Sequence, residues 1–291
     1  MVKKEIAGLL VAGIVLLAGC AGRAISEPPP VPVPENPAAE PAPAETAAYE
    51  KPEYEVVPFT AGNQVRTEDG TVLVVYNYQT VRLALHNEDA VSPQDAAMAA
   101  RNMETFNAKM ASVSEDLMEQ GEDLAVNAGA NYEVFGAPVE EYEDDAETSA
   151  VITGDIISVC MRRFSYTGGA HPNSYVLGWL FDLASGQFVL DPSQLADDPQ
   201  AFHDSAAELL IEKADSNLPG SRPGEYWDDY QDIIRDSQCG VTLFDEEGMR
   251  VLYAPYELGP YAIGEVELRL DWEELAPLLG EECLTRFGAA N

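Results

Sequence analysis

Apolar residues change their spacing along this chain, and the changes divide it. Ile6 to Ala18 is an unbroken apolar run behind Lys3 and Lys4. Thr71 to His86 is strand-like, rich in Val, Tyr and Leu. Its alternation changes phase near Gln79-Thr80, which predicts a bulge or turn there. Ser92-Pro93-Gln94-Asp95 predicts a helix start, with a capping hydroxyl and proline at the first helical position. Ala99, Met103, Phe106, Met110, Val113 and Leu117 then recur every three or four residues and predict one apolar face, ending at Gly121. A methionine-bearing stripe can serve as a partner groove, but packing on a neighbouring sheet is its commoner use.

Val151 to Tyr166, interrupted at Thr153-Gly154-Asp155, predicts a hairpin. Ser174 to Phe181 and Gln187 to Leu190 predict strands joined by a tight turn over Asp182 to Gly186. Asp198-Pro199 caps a second helix through Phe202, Ala206, Leu209, Leu210 and Lys213. Glu225 to Asp236 predicts a third, carrying Tyr226, Trp227, Tyr230, Ile233 and Ile234. Val241 to Phe244 and Met249 to Tyr253 form a further hairpin, and Glu265 to Leu270 a last strand. Asp271-Trp272-Glu273-Glu274 opens a short helix with a capping-box pair. Strands joined by hairpins and interleaved with helices predict an α+β fold: a mostly antiparallel sheet with helices packed on it, preceded by a disordered tether.

The first apolar run is too short to span about 30 Å of hydrocarbon as a helix. Behind it, Leu17-Ala18-Gly19-Cys20 has the form of a lipobox, so residues 1–19 are expected to be a lipoprotein signal peptide and Cys20 the lipidated residue. Thioether-linked diacylglycerol would supplement a single amide-linked acyl chain, which alone holds a protein only marginally. Residues 20–60 are rich in Pro, Ala and Glu. Of the twenty prolines, ten fall between Pro28 and Pro58, and such a segment cannot bury enough apolar surface to fold. At about 3.1 Å per residue in polyproline geometry it would be a spacer on the order of 100 Å.

Charge narrows the partners. Acids number 51 against 16 bases, a formal net charge of −35, so nucleic acid is excluded as a partner for want of a basic face. A basic protein would be drawn in by such a field. The run Glu140-Glu141-Tyr142-Glu143-Asp144-Asp145-Ala146-Glu147 lacks the ligand spacing and turning glycine of a calcium loop and is expected to be a solvated loop. Beyond Cys20, Cys160, Cys239 and Cys283 match no zinc spacing. In an exported protein one pair could be bridged, Cys239 with Cys283 among the possibilities. No cofactor or metal is expected.

Between the two β-rich regions lies Tyr166-Thr167-Gly168-Gly169-Ala170-His171-Pro172, followed by Phe181-Asp182-Leu183 and Gly186. Gly168 and Gly169 allow a backbone corner closed to residues with a Cβ, and Pro172 biases His171 towards extended geometry. Farther on stands Ala254-Pro255-Tyr256-Glu257-Leu258-Gly259-Pro260-Tyr261-Ala262-Ile263-Gly264. These two blocks, in this order, resemble the signature of the RsiV-like extracytoplasmic domain family. That domain is shared by a lysozyme-sensing anti-sigma factor and by the N-terminal part of some peptidoglycan deacetylases. The resemblance runs over roughly Val72 to Leu279 and is weakest before Asp155. It divides the folded part into an N-terminal α+β subdomain, 61–150, and an RsiV-like C-terminal α+β domain, 151–291. Neither the deacetylase domain nor the sigma-binding segment and transmembrane helix of those relatives is found here, which implies a sensing or docking module without an effector.

The sequence holds no HExxH, nucleophile elbow, phosphate loop or dinucleotide fingerprint. His171 is placed where chemistry could happen, yet an imidazole bound to a nearby carbonyl and holding the corner shut is the more ordinary use. The expected function is a membrane-anchored extracytoplasmic binding module, non-enzymatic, recognising a basic wall-degrading enzyme such as lysozyme, or peptidoglycan. The candidate ligand-binding residues are Gly168, Gly169, His171, Tyr175, Tyr256 and Tyr261, because aromatic rings near the two motifs offer large contact area at small entropic cost. Trp179 and Tyr256 are expected nearer the core, and Tyr261 at the surface. The alternative is a peptidoglycan-modifying enzyme using His171 and a nearby carboxylate.

Overall fold

The computed structural model describes residues 49–136, 140–216, 224–236 and 239–288. The expected signal peptide, Cys20 and the expected tether as far as residue 48 lie outside them. Strand β1 (Tyr54–Arg66) pairs antiparallel with β2 (Val72–Leu85), so the last residues of the expected tether are strand. Pro58 is tolerated there because β1 is the edge of its sheet and one side of its ladder is unpaired.

Helix α1 (Pro93–Phe135) starts where Ser92 accepts the amide of Asp95 at 3.1 Å, and runs for 43 residues, about 65 Å. It does not stop at Gly121. That glycine is seated tightly on β2, where a Cβ would come within 2.7 Å of the Tyr76 ring and 2.8 Å of the Tyr78 hydroxyl. The helix ends at Gly136, with φ +82°.

Strand β3 (Tyr142–Thr153) lies parallel to β2 and antiparallel to β4 (Ile156–Tyr166), which pairs with β5 (Asn173–Asp182), and that with β6 (Gln187–Val189). The result is a six-stranded sheet in the order β1-β2-β3-β4-β5-β6. It continues without a break across residue 150, and residues 48–291 form one compact unit. The acidic run is therefore not a solvated loop, since most of it is the first half of β3. Period-two alternation turns Tyr142, Asp144 and Ala146 one way and Glu143, Asp145 and Glu147 the other. The inward charge of Asp144 is matched by Arg163 on β4.

The expected bulge near Gln79-Thr80 is absent from the β1–β2 ladder, whose register passes Thr60–Gln79 and Phe59–Thr80 without an offset. The phase change instead falls where the pairing with β3 ends, at Tyr78–Ala146. Before it Val74, Tyr76 and Tyr78 face α1, and after it Val81 and Leu83 do. Asn107 of α1 takes over the missing ladder, donating to the Leu83 carbonyl at 3.0 Å and accepting its amide at 2.7 Å.

Helix α2 (Pro199–Asp215) is capped by Asp198. The third expected helix is shorter than its apolar pattern: only α3 (Tyr230–Arg235) forms. Strands β7 (Val241–Asp245), β8 (Gly248–Tyr253) and β9 (Val266–Asp271) make a second, antiparallel sheet. Helix α4 (Trp272–Leu279) opens on the capping box of Asp271 and Glu274, and α5 (Glu281–Arg286) follows.

The order of layers is α1, large sheet, small sheet, then α2, α4 and α5, and β4 shows it in its sequence. Ile157, Val159 and Met161 pack towards α1, while Ile156 and Cys160 pack towards the small sheet. All six residues from Ile156 to Met161 are buried, the continuous apolar run expected of a strand covered on both faces. Gly178 on β5 lets the two sheets approach, because a Cβ there would strike the Val241 side chain. Ser158 ties the layers by accepting the amide of Phe244 at 2.8 Å. Cys160, Cys239 and Cys283 are three separate thiols, so the bridge considered between Cys239 and Cys283 does not form. Burial pushes the Cys283 thiol up to about 11. No helix among the described residues is long and apolar enough to cross a membrane.

Candidate functional site

The small sheet covers only part of the large one. At the Tyr142, Tyr166 and Asn173 ends of β3, β4 and β5, the face opposite α1 is left open and forms the floor of a groove of about 650 Å³. Period-two geometry sets which side chains line it. Asn77 and Gln79 come from β2, Asp145 and Glu147 from β3, Arg162 and Phe164 from β4, and Ser174 and Val176 from β5. One wall is the segment between β8 and β9, which supplies Pro255, Tyr261, Gly264 and Glu265. Arg162 crosses from floor to wall and donates two hydrogen bonds to Glu265, at 2.8 and 2.7 Å. These bonds hold its guanidinium still more firmly protonated than an ordinary arginine.

His171 stands behind the wall. It lies on the β4–β5 connection, which turns at Gly168 (φ +87°) and Gly169 (φ +116°). A Cβ at either glycine would meet open space, so it is backbone conformation and not close approach that requires glycine there. The imidazole stacks on the Tyr261 ring, with centroids 4.0 Å apart and planes 16° from parallel. Its Nδ1 lies 2.9 Å from the Pro172 carbonyl and its Nε2 2.9 Å from the Tyr256 hydroxyl. A carbonyl can only accept, so Nδ1 carries a proton, and in the neutral ring Tyr256 donates to Nε2. Both nitrogens are thus engaged by groups that are not carboxylates. Asp182, the acid near His171 in sequence, sits at the far end of β5 and pairs with Arg286 at 2.8 Å.

Tyr256 is the one described residue other than glycine with positive φ, at +77°, a conformation costing about 1–3 kcal/mol. Three bonds around it hold the turn. Its hydroxyl reaches His171, its carbonyl accepts Trp227 Nε1 at 3.2 Å, and the Glu257 carboxylate accepts the Ala254 amide at 2.6 Å. Tyr256 is 53% exposed, so it is not the core residue the sequence suggests. Trp179 is partly buried and packs into the α1 core. Tyr261 is half-buried between His171 and the groove.

The fold therefore brings His171, Tyr256 and Tyr261 into one cluster, whereas Tyr175, 48% exposed, is cross-strand from Arg163 and so lies on the opposite face of β5 from the groove floor. Gly168 and Gly169 shape the corner beside them. Sequence reasoning missed the groove floor, Asn77, Gln79, Asp145, Glu147, Arg162 and Phe164, and with it Glu265 on the wall. The alternation within the acidic run was the available signal. Beneath the floor, on the α1 side of the same strands, Asp144 is 1% exposed and is gripped by both arms of Arg163. Tyr78 donates to it at 2.7 Å and is itself pushed above its ordinary range by burial and then by that carboxylate. No group of three or more His, Cys, Asp or Glu side chains among the described residues could hold a metal ion.

No protein-family profile matches the chain, and no curated protein does. Solved structures do. One is a member of the DUF3298 family from Bacteroides fragilis NCTC 9343, 15% identical over 83% of this chain and 98% of its own, with a TM-score of 0.56. Another is a DUF3298 family protein from Pseudomonas aeruginosa PAO1, 13% identical over 80% of this chain and 97% of its own, with a TM-score of 0.42. The first likeness shows the fold: over the matched part the chain has the architecture of a DUF3298-type domain.

Proposed function

We propose that this protein is a membrane-anchored extracytoplasmic binding module, held by a lipid on Cys20, whose groove docks a basic protein of the wall-degrading class, such as lysozyme. The observation that carries the reading is the groove itself. Its floor and wall present Asp145, Glu147 and Glu265 beside the rings of Phe164 and Tyr261, on a chain with a net charge of −35. Aromatic rings next to carboxylates are the anchors a cationic surface needs, and the surrounding field raises the rate of encounter. The resemblance of the two sequence motifs to a lysozyme-sensing family points the same way.

In this reading His171 is a brace, which keeps Tyr261 in the groove wall and Tyr256 in its strained turn, and performs no chemistry. The mature chain from residue 20, with Cys20→Ser to keep it in solution, is titrated with lysozyme and with muropeptides at about 50 and about 500 mM salt. Binding of lysozyme that weakens steeply with salt, and that survives His171→Gln in a variant that still folds, supports the proposal. Flat isotherms with lysozyme at both ionic strengths refute it. Salt-insensitive binding of muropeptides alone would move the function to glycan recognition, and turnover of wall polymer lost in His171→Gln would make the protein an enzyme.

A further inference from the structure

Within the groove the carboxylates are not equally engaged. Glu265 is taken up by Arg162. Asp145 and Glu147, two apart on β3 and so on one face, make no ion pair among the described residues. Asp145 is open to the groove, yet desolvation, and after it the charge of Asp144, push its carboxyl above the ordinary range. A cation would relieve that penalty. The kind of cation is suggested by the other face of the same two strands. There Arg163 spans both oxygens of Asp144 with its guanidinium 5.9 Å from the Tyr78 ring centroid. The groove face repeats the carboxylate and the ring, with Asp145 directly cross-strand from Phe164 and Tyr261 on the adjoining wall, but it has no free guanidinium to complete the set.

We propose that this groove takes an arginine side chain of its protein partner, bridging Asp145 and Glu147 with the guanidinium plane against Phe164. Lysine fits the same position poorly. Its ammonium is a strongly hydrated point charge, which neither spans two carboxylates in a plane nor stacks on a ring as a guanidinium does. The inference rests on the protein-docking reading above and gives it a subsite.

Two probes separate the two claims. The first is the Nα-acetyl amide of arginine, titrated into the isotope-labelled mature chain alongside the lysine compound. Arginine is expected to shift the resonances of Asp145, Glu147 and Phe164 at concentrations where lysine leaves them unchanged. The second is lysozyme either acetylated on its lysines or modified on its arginines with a dicarbonyl. Arginine modification should abolish binding, and lysine acetylation should spare most of it. Asp145→Asn with Glu147→Gln, at two exposed positions where folding is checked by the melting temperature, should weaken unmodified lysozyme by about tenfold or more. Equal shifts from arginine and lysine, or full affinity in the double variant, overturn the arginine subsite while leaving lysozyme docking intact. Arginine-selective shifts with no lysozyme binding retain the subsite and remove lysozyme as its source.

Discussion

Replacing either of two glycines in α1 by alanine tests how the helix sits on the large sheet. Within a helix, Gly→Ala ordinarily stabilises by about 0.5–1 kcal/mol, because alanine loses less backbone freedom on folding. At Gly129 a Cβ would meet nothing within 4 Å, so Gly129→Ala should show that full gain. At Gly121 the same methyl group would lie 2.7 Å from the Tyr76 ring and 2.8 Å from the Tyr78 hydroxyl. Neither tyrosine can swing aside. Both are buried and stacked on one another with centroids 5.7 Å apart, and Tyr78 is bonded to Asp144. Overpacking of this kind costs about 1–3 kcal/mol, which exceeds the propensity gain and reverses the sign. For a folded unit of this size 1 kcal/mol moves the melting point by about 2–4 °C. Gly129→Ala should therefore rise by up to about 4 °C, and Gly121→Ala should fall by several degrees, in thermal melts followed by far-ultraviolet circular dichroism. If Gly121→Ala melts at or above the parent temperature, the close seating of α1 on β2 is wrong. The Asp144–Arg163 support beneath the groove would then be wrong with it.

Three other outcomes follow from side chains described above. Burial alone would raise the Asp245 carboxyl, but Arg269, the Glu247 amide and Arg250 outweigh it and hold it below the ordinary range. The stability it contributes is thus present above the unfolded aspartate pKa and lost as pH falls through the lower folded value. Asp245→Asn should melt lower at pH 7 and lose less on acidification below about pH 4 than the parent, measured as melting temperature against pH. Tyr256→Phe removes the donor to His171 Nε2 and should cost about 0.5–1.5 kcal/mol; nitrogen-15 spectra of the imidazole should retain the Nδ1–H form and show a shifted Nε2. Arg162→Leu should leave Glu265 without its partner at the groove wall. It should strengthen binding of a cationic protein at low salt, read as a slower off-rate in surface-binding measurements.

Much of this fold could be read locally. Ser92, Asp198 and Asp271 each cap the helix that their sequence context announces. The hairpins turn near the glycines expected, Gly154 with φ +58° and Gly186 with φ +69° among them. What escaped depends on partners distant in the chain. Gly121 resembles a helix stop until Tyr76 and Tyr78 are placed against it. The acidic run resembles a loop because its inward member, Asp144, is matched by Arg163, nineteen residues on. Of the site, the cluster of His171, Tyr256 and Tyr261 was foreshadowed by the two motifs. The groove was not, because Arg162 and Glu265 lie 103 residues apart and meet only when the small sheet settles on the large one. Tyr256 was read as a core residue because nothing in its sequence context announces that a tyrosine will take positive φ.

The central claim is that the open face of the large sheet, walled by the β8–β9 segment, is where a basic protein docks. Amide hydrogen exchange of the mature chain, recorded with and without saturating lysozyme at low salt, locates that face directly. The account predicts slowed exchange in residues 145–147, 162–164 and 255–265 and unchanged exchange along α1. Protection confined to α1 or to the outer edge of β1, with the groove segments exchanging as before, would contradict it.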